Sequence, residues 1–103
     1  TDYNLQLAVL NAFSVIKVDN PDVPILLKNI VEQELSKNDL STLDIFVASL
    51  NALSNIKYIE AFDLIFECYK KNICEELTVA SCNALYALSP LYNDDDTSLH
   101  PHL

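Results

Sequence analysis

Histidine is the side chain that moves a proton most readily near neutral pH. This chain of 103 residues holds two, His100 and His102, on either side of Pro101 in the last four residues. A Ser-His-Asp or Cys-His arrangement would have to borrow that terminal stretch, so no catalytic residue and no enzymatic activity is expected. The same histidines follow Asp94, Asp95 and Asp96. Such a mixture would hold a divalent ion only weakly, and residues 93–103 read as a solvated acidic tail, with no metal or cofactor expected. Three cysteines, Cys68, Cys74 and Cys82, are separated by five and seven residues, unlike the short knuckles of zinc sites. An odd count without paired spacing argues against a disulfide framework and for a reducing, cytoplasmic compartment. Each is expected as a small buried thiol on a helix.

The remaining candidates for recognition are carboxylates. Fifteen acids face six lysines, giving a net charge of −9, and arginine is absent. Clustered Lys and Arg are what bind phosphate, so nucleic acid is an unsuitable partner and a basic protein a suitable one. Glu60, Asp63 and Glu67 stand at i, i+3 and i+7 within one amphipathic segment, and Glu32 lies in another. These four, with Tyr58 as an amphipathic anchor, are the expected partner-binding residues. The alternative for the acids is the solvated side of an amphipathic helix. There is no apolar stretch of about 18 residues, so no membrane span is expected. Beginning at Thr1 rather than Met, the chain reads as trimmed or cut from something longer.

The elements that must position these residues come from an internal repeat. Residues 7–16 read LAVLNAFSVI, residues 47–56 VASLNALSNI, and residues 79–88 VASCNALYAL. They align without a gap at spacings of 40 and 32 residues, the size of two helices and their turns. Each copy carries an alanine (Ala8, Ala48, Ala80), then Asn-Ala (Asn11-Ala12, Asn51-Ala52, Asn83-Ala84), then Phe13, Leu53 or Leu85. The period is helical, and alanines at fixed positions predict close helix contacts. Between the copies lie two more amphipathic segments, residues 23–35 and 58–71. The order is A1-B1-A2-B2-A3, with B1 and B2 as second helices of the two complete units.

Punctuation agrees. Asp22 is expected to cap B1 with Pro24 in its first turn, and Ser41 to Asp44 and Asn72 to Glu75 resemble capping boxes. Glycine is absent, so helix ends must use asparagine, with Asn38, Asn55 and Asn72 as candidates. Pro90 is expected to end A3. Val79, Cys82 and Tyr86 give A3 a second apolar side, to be covered by the tail after residue 90 or by another chain, including a homodimer mate.

The repeat resembles the HEAT and armadillo-like helical repeats over nearly the whole chain up to Pro90, although such repeats often carry an arginine in the A helix and this chain has none. The resemblance implies an all-α, short right-handed alpha-solenoid of about five helices, residues 1–92, followed by the tail 93–103. It also implies a protein-binding scaffold with its B helices on the concave side. Charge and size equally suit a small acidic immunity protein that neutralises a basic toxin.

Overall fold

A computed structural model describes residues 2–37 and 40–94, the last three without their side chains. Those residues form five α-helices and one 3-10 turn, with no strand among them. They are α1 (Tyr3–Phe13), α2 (Asp22–Ser36), α3 (Leu43–Ile56), the 3-10 turn Ile59–Ala61, α4 (Phe62–Lys71) and α5 (Glu75–Asp94). Thus α1, α3 and α5 carry the three repeat copies.

Local chemistry starts each helix differently from the expectation in places. Asp2 accepts the Asn4 N–H at 2.9 Å and caps α1. Asp22 is not the cap of α2 but its first residue; Asn20 accepts the Asp22 N–H at 2.9 Å, and the Asp22 charge lies at the positive end of the helix dipole. At α3, Thr42 precedes the helix without a capping bond, because its hydroxyl turns to Glu34 of α2. Lys57 (φ 64°) and Asn72 (φ 51°) take the left-handed conformation that ends α3 and α4. Asn72 serves as expected. Asn55 stays helical, and Asn38 lies outside the described residues.

Two expected boundaries move. The segment 58–71 is not one helix: a 3-10 turn leads into α4, which places Glu60 off the α-helical register of Asp63 and Glu67. Nor does Pro90 end its helix, since α5 continues to Asp94 across the 92/93 boundary. Proline removes the N–H that would bond the carbonyl four residues earlier. Here that carbonyl, of Tyr86, accepts the Ser89 hydroxyl at 3.0 Å instead.

Packing centres on α3, which contacts α1, α2 and α5, while α4 packs on α5 and touches α2. The two-helix units expected from the sequence, A1 with B1 and A2 with B2, are therefore re-paired: α2 backs α3 and α4 backs α5. The core holds Leu27 and Val31 of α2, Leu50 and Leu53 of α3, Ile65 of α4 and Leu77 of α5. Ala52 and Ala84 are buried at close contacts, but Ala12 is exposed because no helix among the described residues packs on that side of α1. The molecule extends 48 × 31 × 18 Å, its shortest dimension close to two helix diameters. Among the described residues no helix is long and apolar enough to cross a membrane.

Candidate protein-binding surfaces

Glu32 on α2, Glu60 in the 3-10 turn, and Asp63 and Glu67 on α4 are all exposed. Contact between α2 and α4 sets side by side the helices that carry Glu32 and Asp63 with Glu67, while the 3-10 turn that carries Glu60 packs on α4 and α5. Tyr58 is half-buried against the core, and its hydroxyl is bonded to Glu60. That bond, desolvation and the Glu60 charge together raise its pKa. Glu67 bridges to Lys70 at 2.9 Å, in an exposed pair that contributes little to stability. The Lys70 ammonium lies 5.1 Å from the centre of the Phe66 ring, which stacks on Tyr69 at 6.3 Å and 14°. Lys71 donates to the Leu35 carbonyl at 3.1 Å, tying α4 to the end of α2. Asp63 and Glu32 make no ion pair among the described residues.

A second surface was not visible in the sequence. Leu5, Val9 and Phe13 of α1 face Leu26 and Ile30 of α2 across an open groove of about 540 Å³. Gln6, Asn29 and Gln33 supply its polar atoms. In the repeat alignment Leu5 and Val9 correspond to Ile45 and Ser49 of α3 and to Leu77 and Ser81 of α5, all buried. The difference is the backing helix: α2 lies behind α3 and α4 behind α5. Leu5 and Val9 remain exposed. The available signal was Val9, a large aliphatic residue where the other copies have serine.

Beside the groove, α1, α2 and α3 meet in a polar knot. Glu34, nearly buried, holds Lys37 at 2.9 Å and accepts the Thr42 hydroxyl. Tyr3 bonds Asp44 close by; desolvation first, then Asp44 and Glu34, raise its pKa. All of Glu34's contacts are internal, so its chemistry is structural.

The thiols divide. Cys68 is buried as expected, which pushes its pKa up to about 12 and keeps it neutral and unreactive near pH 7. Cys74 is half-buried and precedes α5, whereas Cys82 is exposed on α5, so burial of every thiol is corrected. Among the described residues no three His, Cys, Asp or Glu side chains gather as a metal site. His100 and His102 lie outside those residues. No family model, curated protein or solved structure matches the chain.

Proposed function

We propose that this chain is a non-enzymatic protein-binding module, built as a short helical-repeat solenoid of the HEAT or armadillo-like kind, whose partner is a basic protein. The observation that carries the reading is the α1–α2 groove: it is a vacancy in an otherwise repeated packing, at the position that α2 fills behind α3. Its apolar floor and amide rim suit an amphipathic helix docked in the way α2 and α4 dock, by an i, i+3, i+7 stripe. The contact order α1–α3–α5 supports the solenoid. The −9 charge, with Glu32, Glu60, Asp63 and Glu67 exposed, sets the sign of the partner, since complementary charge speeds association and selects against acidic competitors.

The test is capture from the native host with partners identified by mass, comparing wild type with Leu26→Glu and with Glu60→Lys/Asp63→Lys/Glu67→Lys. A basic protein is expected on wild type, lost with Leu26→Glu, and with the triple variant bound more slowly and without the wild type's salt sensitivity. Equal retention by all three at low and high salt would refute both surfaces. Far-UV circular dichroism of each variant separates loss of binding from loss of fold.

A further inference from the structure

Among the described residues the row of helices α1, α3 and α5 is open at both ends, and the two ends match. In the gapless alignment Leu10, Leu50 and Cys82 are one position. Leu10 is 3% exposed, on a helix whose main neighbour is α3, and Leu50 is 0% exposed. Cys82 is exposed, as are its helix-face companions Val79 and Tyr86. On the opposite edge of the repeat, Ala48, Ala52, Ala80 and Ala84 are buried, whereas their counterparts Ala8 and Ala12 are exposed. Asn55, on the alanine edge of α3, donates to the Phe13 and Ile16 carbonyls, so that edge faces α1. Each internal contact in the row therefore sets the larger apolar edge of one repeat helix against the alanine edge of the next.

We infer that the exposed α5 edge of one molecule packs on the exposed α1 edge of a second copy, head to tail, continuing the row between molecules. The occupant is specified by the repeat itself: a second copy presents to α5 the alanine edge that α5 presents to α3. The extreme exposures agree with the register. Tyr86 (82% exposed) stands at the Ser54 position, and Val15 (77% exposed) stands at the Asn55 and Ala87 positions of the facing edge. Joining the ends covers both. A contact between two different patches is heterologous and, unless the rotation closes a ring, grows as an open chain. It rests on the row contacts alone, independently of the groove and the exposed acids.

Charge sets the expected behaviour. Copies carrying −9 repel, so association strengthens with salt, opposite to the binding of a basic partner. In sedimentation velocity from about 10 to about 500 µM, a range that reads weak contacts, wild type is expected to shift to higher mass, more so at high salt. Ala12→Arg blocks the α1 end and Tyr86→Glu the α5 end; both sites are exposed, and unchanged melting confirms their fold. Each variant alone should be monomeric, and their equimolar mixture should give a dimer that grows no further. Ala12→Arg dimerising alone would mean that α5 pairs with α5 and would overturn the head-to-tail contact. A wild type monomeric throughout, or a mixture without dimer, would overturn it as well.

Discussion

Ser49 and Ser81 occupy the same place in two copies of the repeat and are both fully buried, yet only one is satisfied. The Ser49 hydroxyl donates to the Ile45 carbonyl at 2.8 Å, while the Ser81 hydroxyl has no partner among the described residues. Burying an unpaired hydroxyl costs about 1 to 3 kcal/mol, and removing it recovers that cost. Ser81→Ala should therefore leave the melting midpoint unchanged or raise it, while Ser49→Ala should destabilise by about 1 kcal/mol. Equal losses at both positions in thermal denaturation would mean that Ser81 finds a bond in solution. At this scale the sequence was informative about alignment and silent about satisfaction: two serines aligned in the same Val-Ala-Ser step differ in whether the hydroxyl finds a carbonyl.

Alanines make the same point between elements. Ala52 is 0% exposed where α3 meets its neighbours, and Ala12, its counterpart in α1, faces outward. Ala52→Phe should cost about 1 to 3 kcal/mol through overpacking, whereas Ala12→Phe should move the melting midpoint little. A large loss at Ala12 at low concentration would contradict the open edge of α1. The helices themselves were legible because their apolar residues recur at the helical period and their polar residues do not. Their pairing was not. An apolar stripe such as Leu27 and Val31 on α2 says that a face must be covered, and only the folded chain says that α3 covers it. Glu60, Asp63 and Glu67 were legible as surface for the same reason, while the 3-10 turn that shifts Glu60 was hidden by a segment apolar enough to read as one helix. Pro90 misled because the Ser89 hydroxyl compensates its missing donor. The α1–α2 groove is an absence of packing, which no local pattern announces.

For the whole molecule, the lack of glycine changes how helices are finished. Local N–H groups meet the Asn11 and Ala12 carbonyls of α1, while its final carbonyl, of Phe13, and that of Ile16 just beyond it accept the Asn55 amide at 3.0 and 2.8 Å, and the Leu35 carbonyl near the end of α2 accepts Lys71. Each of these side chains is supplied from the second α-helix further along the chain. Asn55→Ala should accelerate amide exchange selectively in the last turn of α1, by about tenfold, with α5 unchanged; uniform acceleration would mean that the loss is global. These distant caps also tie folding to time. A chain is made from its N-terminus, and the Asn55 amide that meets the Phe13 and Ile16 carbonyls lies 42 and 39 residues downstream of them, roughly 2 to 8 s of synthesis at common elongation rates. During synthesis α1 thus emerges with its Asn11 and Ala12 carbonyls met locally but without the Asn55 contact until α3 has been made, and α2 likewise lacks the Lys71 contact until α4 has been made, so these tertiary caps form in overlapping steps.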